Sequence, residues 1–274
     1  MDSTSRVGVF IDSANISMNG GRGMRFDVLR EFAVRDGGEI ARLNVYLSYD
    51  QRRAEGDEEY RRGQFQFHSA LRDFGYKVIQ KPVRHFRDEV GATVTKANVD
   101  LEMAVDLLLQ SEKLDRVVLA TGDGDFVQVV RALQNRGLRV ELVAFDNVSV
   151  DLRAEADLFV SGYLVPNLLT IEDSPAPWGE IGSRVRGFCH YHSGKGFGFL
   201  RFIKRVAPNL WIVDTRHEES PYESVFIHDS RLPENVGYQQ LPSRNLIFEF
   251  TLREPEPGGK SRYQAEDVRV ASRL

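Results

Sequence analysis

The sequence predicts an α/β fold with a buried parallel sheet over its first part and a separate domain over its last third. Two observations predict the sheet. Residues 7–11 and 117–120 are apolar runs typical of buried parallel strands, and a helical pattern over residues 126–135 follows the second run. A third observation predicts the division, because residues 171–179 break both periodicities and contain Pro175 and Pro177.

The first predicted strand ends at Asp12, and Asn15 follows three residues later. A carboxylate and an amide therefore lie close to the point where this strand ends. In open α/β sheets, ligands bind beyond the carboxyl ends of the strands. Asp12 is for this reason a candidate site residue.

The second predicted strand runs into the hexapeptide TGDGDF, residues 121–126, just before the helical pattern. Asp123 and Asp125 are two residues apart, and the glycines leave room for a hydrated ion or a phosphate to approach. An aspartate before a helix is often an N-cap that accepts hydrogen bonds from first-turn amides. Taken alone, the hexapeptide favours that structural role about as much as a ligand site.

A third segment brings another acid to the start of a predicted helix. Apolar residues at 101, 104, 105 and 108 define one helix face, which places Asp100 in the first turn. Asp106 lies six residues later and is expected to be solvated or to support the site from outside. Three segments thus each bring an acid to the end of an element, and clustered carboxylates indicate a hard cation such as Mg²⁺ or Mn²⁺.

Three segments together resemble the NYN domain, a branch of the PIN-like metal-dependent ribonucleases. They are FIDSANI (10–16), TKANVDLEMAVDLL (95–108) and VVLATGDGDFVQVVRALQNRGLRVELVAF (117–145), and residues 149–159 resemble the family's closing helix and strand. The resemblance implies a three-layer α/β/α domain over residues 1–166. It also implies the following site: Asp12, Asp100, Asp123 and Asp125 around the divalent ion, with Asn15 and Thr121 as polar neighbours and Lys96 as the basic residue before the second acid.

This resemblance implies a Mg²⁺- or Mn²⁺-dependent ribonuclease, with an endonuclease as the expected class. Phosphodiester hydrolysis needs an activated water and a group that stabilises negative charge on the phosphate, and a bound divalent ion can supply both. Cleavage by water is expected to leave a 5′-phosphate. No histidine or serine dyad is evident in the sequence, and His68 and His85 are interpreted as surface or core residues.

The last part of the chain has a different pattern of residues. Residues 167–181 are predicted to be a proline-containing linker and residues 182–274 a second domain. Aromatic, small and basic residues alternate over residues 186–200. Residues two apart in a strand share a face, so Phe197 lies beside Phe199, and Phe226 beside His228. Core packing is the usual role of such phenylalanines, but the adjacent Lys195 and the glycines at 196 and 198 favour a flat surface for base stacking.

The segments KGFGFL (195–200) and VFIH (225–228) resemble the two ribonucleoprotein motifs of a cold-shock domain, an all-β OB-fold barrel. Residues 246–252 and 265–270 are its expected later strands. The resemblance implies that Phe197, Phe199, Phe226 and His228 stack on bases of single-stranded RNA, or of single-stranded DNA, while Lys195 contacts phosphate. The chain differs from the family at His190 and Tyr191, where a Trp-Phe pair is usual, at Asp229, and in a longer loop over residues 204–222.

Basic residues precede Asp100 at Lys81, Arg84, His85 and Arg87. If this segment lines the acidic pocket, Arg84 and its neighbours are expected to contact the phosphates that flank the cut. Ordinary solvated faces with salt bridges are the competing interpretation.

Composition sets the wider limits. The chain has 274 residues, enough for two domains, and a formal net charge of −4, so any RNA contact relies on local basic clusters. The single cysteine, Cys189, excludes an internal disulfide and suits a reducing compartment. No apolar run approaches about 18 residues and no signal-peptide pattern occurs at the start, so a cytoplasmic protein without a membrane span is expected.

Three other functions remain open at this point. The chain could be a catalytically inactive RNA-binding adaptor that uses both domains, although all the matching acids are present. A phosphoryl-accepting receiver domain also gathers aspartates at strand ends, but it requires an acidic pair after the first strand, and Ser13 follows Asp12 here. A scaffold for a larger RNA complex is the third. The sequence identifies no protein partner.

Overall fold

The computed structural model describes residues 4–87, 93–96, 99–256 and 261–274, with the backbone alone described over 84–87 and 93–96. The chain folds into two compact units. The first contains Met1–Arg22 and Leu29–Val160, and the second contains Gly23–Val28 and Ser161–Leu274.

The first unit is built on a six-stranded sheet with helices beside it, so the predicted α/β fold with a parallel sheet is confirmed. The strands of the chain up to residue 161 are β1 (Arg6–Asp12), β2 (Glu39–Tyr49), β3 (Lys77–Pro82), β4 (Arg84–Arg87), β5 (Thr93–Lys96), β6 (Arg116–Ala120), β7 (Arg139–Ala144) and β8 (Leu158–Ser161). The sheet order is β3-β2-β1-β6-β7-β8, and β4 pairs with β5 in a separate antiparallel ribbon.

Seven α-helices lie in the described part of the chain, and the sequence analysis predicts those that follow Asp100 and Phe126. They are α1 (Ser13–Met18), α2 (Phe26–Ala33), α3 (Gln51–Gly56), α4 (Glu58–Asp73), α5 (Asp100–Gln110), α6 (Val127–Gln134) and α7 (Val150–Glu155). The predicted helix over 126–135 is α6, preceded by a 3₁₀ turn at Gly124–Phe126. Asp100 lies in the first turn of α5, as predicted.

The central strands β1 and β6 are buried along almost their whole length, which is why both are continuous apolar runs rather than alternating ones. Parallel pairing places Val9 opposite Val118 and Ile11 opposite Ala120. Since both strands run in the same direction, the residues that follow them emerge at the same edge of the sheet. The apolar core of the first unit includes Phe10, Met103, Leu119 and Phe126.

The second unit contains a mixed five-stranded sheet. Its strands are β9 (Arg184–His192), β10 (Phe197–Ile203), β11 (Tyr222–His228), β12 (Ser243–Arg253) and β13 (Tyr263–Arg273), and the last two include the predicted strands over 246–252 and 265–270. The pairing order is β10-β11-β13-β12-β9, and β9 also pairs with β10, so each strand has two neighbours. The β11–β13 pair is parallel and the other pairs are antiparallel.

The segment predicted to be a linker packs against this sheet. Trp178 contacts the apolar core of the second unit, and its indole Nε1 donates a hydrogen bond to the carbonyl oxygen of Ile203 at 2.8 Å. The two prolines therefore belong to a segment that is held in place rather than to a free tether. Among the described residues, none of the helices combines the length and the apolarity that a membrane span requires.

Candidate functional site

Asp12 and Thr121 lie together at the edge of the sheet where β1 and β6 end. Asp12 is the last residue of β1 and only 3% exposed, and Thr121 follows β6 directly and is fully buried. The Thr121 hydroxyl donates to Oδ2 of Asp12 at 3.4 Å. The register of the two parallel strands brings these side chains into contact, although they are far apart in the sequence.

Asp12 also acts as a helix N-cap, the structural role that the sequence analysis weighs for an aspartate before a helix. It is the N-cap of α1, and its Oδ1 accepts a hydrogen bond from the backbone N–H of Asn15 at 3.0 Å. Asn15 in turn accepts from the N–H of Gly122 through its own side-chain oxygen at 2.8 Å. The cap therefore fixes both the carboxylate and the following loop.

The loop after β6 is held by a chain of short-range hydrogen bonds. The N–H of Asp123 donates to the Thr121 hydroxyl at 3.3 Å, and the N–H of Asp125 donates to Oδ1 of Asp123 at 3.0 Å. A Cβ at Gly124 would lie 2.8 Å from the hydroxyl of Ser149, so the close approach of the two loops requires a glycine there. The Asp125 side chain is exposed.

The four carboxylates of Asp12, Asp100, Asp123 and Asp125, called here the acidic cluster, interact electrostatically. Burial raises the pKa of Asp100 to about 6, and the charges of the other three acids add to this rise, while Lys81 opposes it. The pKa of Asp12 is also raised, first by burial and further by the charge of Asp123. Mutual repulsion of this kind is what a bound cation would relieve.

The acidic cluster supplies the hard oxygen donors that Mg²⁺ and Mn²⁺ prefer, so its chemistry fits a divalent ion. The four carboxylates, however, are not close enough together to surround an ion. Within residues 4–83 and 99–256 and the C-terminal segment that the structure describes, no three acidic, histidine or cysteine side chains form a group ready to hold an ion. The structure therefore places these acids within electrostatic range of one another without closing them into a coordination shell.

Two basic residues predicted near this site fall where only the backbone is described. Arg84 and Lys96 face each other in the β4–β5 ribbon, and their side chains lie outside the described part of the structure. Lys81 is described, and its ammonium contacts the carboxylate of Glu102 at 2.6 Å. For Lys81, this contact agrees with the interpretation of the basic segment as a solvated face with salt bridges.

Asp106 has a buried partner that the sequence does not reveal. Its Oδ2 accepts a hydrogen bond from the Tyr46 hydroxyl at 2.8 Å, and burial together with this carboxylate raises the pKa of Tyr46. Asn44 donates to the same hydroxyl at 3.3 Å. This network ties α5, whose first turn carries Asp100, to strand β2.

The second unit presents a row of rings, called here the aromatic face, which consists of Phe197, Phe199, Phe226 and His228. Antiparallel register places Phe199 opposite Phe226 and Phe197 opposite His228. The rings of Phe197 and Phe226 stack with centroids 6.0 Å apart, and Phe199 meets Phe226 edge to face at 5.9 Å. His228 is exposed and the three phenylalanines are half-buried, so the structure brings all four side chains together on one face.

Tyr191 extends the aromatic face across β9. It pairs with Phe199 in the sheet, its ring centroid lies 6.1 Å from that of Phe199, and it is 49% exposed. Lys195 is exposed beside the start of β10. The glycine at 198 has a packing reason rather than a binding one, because a Cβ there would lie 2.8 Å from the backbone oxygen of Tyr191.

Comparisons with known proteins bear mainly on the first unit. The model of the NYN domain family matches residues 6–169. The low amplitude and bright protein LabA of Synechococcus elongatus is 29% identical over 181 residues, which is 64% of this chain and 92% of that protein. A crystal structure of a protein of unknown function from Vibrio parahaemolyticus is 25% identical with a TM-score of 0.49, covering 59% of this chain and 94% of the other.

Proposed function

Since the chain belongs to the NYN domain family, we propose that it is a divalent-metal-dependent ribonuclease that hydrolyses phosphodiester bonds of single-stranded RNA. NYN domains are usually ribonucleases and generally use divalent metals. The observation that carries the proposal for this chain is the acidic cluster. Burial raises the pKa of Asp100 to about 6, and the charges of Asp12, Asp123 and Asp125 from two other segments add to this rise, as expected where carboxylates gather at a functional site.

In this proposal the four acids of the cluster hold the divalent ion. When bound, such an ion activates water and stabilises negative charge on the phosphate and the leaving oxygen. Asp12 contributes a carboxylate that is already oriented by Asn15 and Thr121. Asn15 also holds the loop that carries Asp123, through the N–H of Gly122. Residues at these two polar positions therefore orient the ligands rather than react with the substrate.

The mixed sheet of the second unit is proposed to be an OB-fold barrel of the cold-shock type that captures RNA. The aromatic face would stack on bases, and Lys195, with Lys96 and Arg84 from the first unit, would contact phosphates. The proposed domain limits are 1–166 and 182–274, with residues 167–181 between them. Holding substrate on the same chain raises its effective concentration at a weakly binding catalytic domain.

Cleavage of an end-labelled single-stranded RNA tests the proposal. The reaction is run with Mg²⁺ or Mn²⁺ and with EDTA, and the wild type is compared with Asp123→Asn. Asp151→Asn is the matched control, because Asp151 is an exposed acid in the first turn of α7. We expect metal-dependent products with 5′-phosphates from the wild type and the control only. Equal cleavage by Asp123→Asn, purified free of contaminating nuclease, would remove that residue from the mechanism.

One observation favours a second function, that of a non-catalytic RNA-binding adaptor. The acids are spaced too openly, among the residues that the structure describes, to form a ready metal site. An adaptor would bind the same labelled RNA and leave it intact in every metal. A parallel reaction with single-stranded DNA of the same sequence separates an RNA-specific protein from a general binder of single strands.

A further inference from the structure

The aromatic face ends at an arginine. Residues two apart on β10 point to the same side of the sheet, so Arg201 follows Phe197 and Phe199 along one face. Arg201 pairs with Ser224 on β11 and with Phe188 on β9, one step beyond the pairs that hold the rings. A guanidinium therefore lies where the row of rings stops.

Two irregularities of the sheet bring more side chains to this point. His190 is the extra residue of a β-bulge in β9, between the pairs Tyr191–Phe199 and Cys189–Leu200. Bulges redirect a side chain, and here the imidazole reaches Arg201, whose Nη2 lies 3.4 Å from Nδ1 of His190. Arg244 lies in a second irregular stretch, on β12, with its guanidinium 5.9 Å from the centroid of the Phe188 ring.

The two guanidiniums of Arg201 and Arg244, called here the arginine pair, lack an anionic partner in the described part of the chain. No carboxylate of the described residues forms a salt bridge with either one, and the buried Nε of Arg201 has no hydrogen-bond partner there. Burial lowers the pKa of Arg201 and the charge of Asp214 opposes this, but the Asp214 carboxylate is bound to Arg216 at 2.7 Å. Arginine stays charged in proteins, so the pair holds positive charge that no salt bridge within the described residues neutralises.

The positive charge of the arginine pair affects the pKa values of Arg201 and His190. Burial lowers the pKa of Arg201, and the charge of Arg244 lowers it further. Burial and the same two arginines lower the pKa of His190 to about 4, so its ring is neutral at neutral pH. Because Arg201 donates to Nδ1, the ring proton belongs on Nε2, which lies 3.4 Å from the hydroxyl of Ser224. The neutral imidazole supplies no negative charge, so the arginine pair can still bind an anion.

We propose that the arginine pair is a phosphate-binding subsite that holds one phosphodiester group of a single strand whose bases stack on the aromatic face. The inference rests on the RNA-capture half of the proposed function and adds a site to it. Guanidinium groups match phosphate oxygens in a two-pronged geometry, and charged hydrogen bonds of this kind are stronger than neutral ones. A phosphate also supplies the negative charge that the pair lacks.

Equilibrium binding of a fluorescent oligouridylate over a range of KCl concentrations tests the subsite. We expect Arg201→Gln and Arg244→Gln each to weaken binding about tenfold. Each should also make the slope of log affinity against log salt shallower by about 0.7, the value for one lost contact to a single strand. Arg205→Gln is the matched control, because it removes the same charge from an exposed residue just after β10.

Two further measurements separate a ligand site from a structural role. Thermal unfolding of the free protein should show Arg201→Gln to be as stable as the wild type or more so, since a half-buried repulsive charge is removed. An oligouridylate with one uncharged methylphosphonate linkage, moved stepwise along the strand, should bind the wild type less well at one position. Arg201→Gln should not distinguish that position from the others.

The outcomes separate the subsite from the proposed function. If Phe199→Ala weakens binding while both arginine variants match Arg205→Gln, the subsite is wrong and RNA capture by the aromatic face stands. If the wild type binds no oligonucleotide, both are wrong. If inorganic phosphate alone shifts the imidazole NMR signal of His190 in an Arg201-dependent way, yet the arginine variants bind the strand normally, the site takes free phosphate and the strand assignment is overturned.

Discussion

The acidic cluster and the aromatic face bring their side chains together in opposite ways. In the first unit, acids lie where elements end, and backbone N–H groups of the next residues hold them, as Asn15 holds Asp12. In the second unit, rings lie within strands, and the cross-strand register places Phe199 against Phe226. One site depends on where strands stop, and the other on how they pair.

Like charges in close proximity are common to both regions, with opposite sign. Burial raises the pKa of Asp100 in the first unit and the neighbouring acids add to this rise, while burial lowers the pKa of His190 in the second unit and the arginine pair adds to this fall. Arrangements of this kind cost stability in the free protein, and natural proteins retain such costs where function needs them. The comparison indicates that each region is completed by a ligand of the opposite charge, a cation in one and a phosphate in the other.

Neutralising one acid should have the largest effect. Asp12→Asn keeps a side-chain oxygen that can cap α1, but it removes a charge from the acidic cluster. We expect RNA cleavage to fall at least about a hundredfold, in line with the loss of a group that stabilises transition-state charge. Because burial raises the pKa of Asp12, the metal-free variant should unfold at the same temperature as the wild type or a higher one. Cleavage rates and thermal melts, with Asp151→Asn beside them, measure both effects.

The two effects of Asp12→Asn must occur together for the acidic cluster to be a ligand site. A variant that loses activity and also melts at a much lower temperature would instead mark Asp12 as mainly a helix cap. Lost caps typically cost about 0.5–2 kcal/mol of stability, which a melt of the first unit detects.

Removing two rings should weaken binding more than it slows cleavage. Phe199→Ala with Phe226→Ala deletes one edge-to-face pair of the aromatic face. Stacking contributes about 1–3 kcal/mol per base, so affinity should fall about fivefold to a hundredfold for each base that is lost. Cleavage at saturating RNA should change little. Fluorescence titration measures the affinity, and Trp211→Ala, which removes an exposed ring outside the row, is the control.

An equal loss in Trp211→Ala would show that any exposed ring of the unit matters and would remove the special role of the row. An unchanged affinity in the double variant would contradict stacking altogether. In that case the aromatic face would have only a packing role, unlike the acidic cluster, which is proposed to bind a ligand.

The hydrogen bond between Tyr46 and Asp106 should contribute to stability rather than to chemistry. Tyr46→Phe leaves the carboxylate of Asp106 without its buried donor, which should destabilise the first unit by about 1–3 kcal/mol. Tyr49→Phe is a matched control on the same strand, since the Tyr49 hydroxyl has no hydrogen bond among the described residues. Urea unfolding measures the difference, and equal stability of the two variants would contradict this role.

The sequence predicts the elements better than the contacts between them. The strand ends at Asp12 and just before Thr121 follow from apolar runs that must be buried, and the shared face of Phe197 and Phe199 follows from the period of two. The partner of Asp106 does not follow, because Tyr46 lies 60 residues away and only the packing of α5 on β2 joins them.

The arginine pair shows the same limit of sequence patterns. The period of two extends from Phe199 to Arg201, so a cation at the end of the row could have been found from the sequence. Arg244 and His190 could not, since irregularities in β12 and β9 place them, and no spacing predicts which residue of a strand becomes the extra one. Local pattern therefore determines which residues share a face, while bulges determine which of them meet.

The smallest expected effect is a difference in acid sensitivity that depends on His190. Its folded-state pKa is about 4, below the usual value of about 6.5, so the unfolded chain binds a proton more readily between these values. This contribution to stability is complete above about pH 6.5 and is lost as the pH falls toward 4. His190→Gln should therefore flatten the decline of unfolding free energy over that range, whereas His217→Gln, in an exposed loop, should follow the wild type. Parallel curves for wild type and His190→Gln would mean that burial and the arginine pair do not hold the imidazole neutral. The excess of positive charge at the arginine pair would then lack support, and with it the comparison to the excess of negative charge at the acidic cluster.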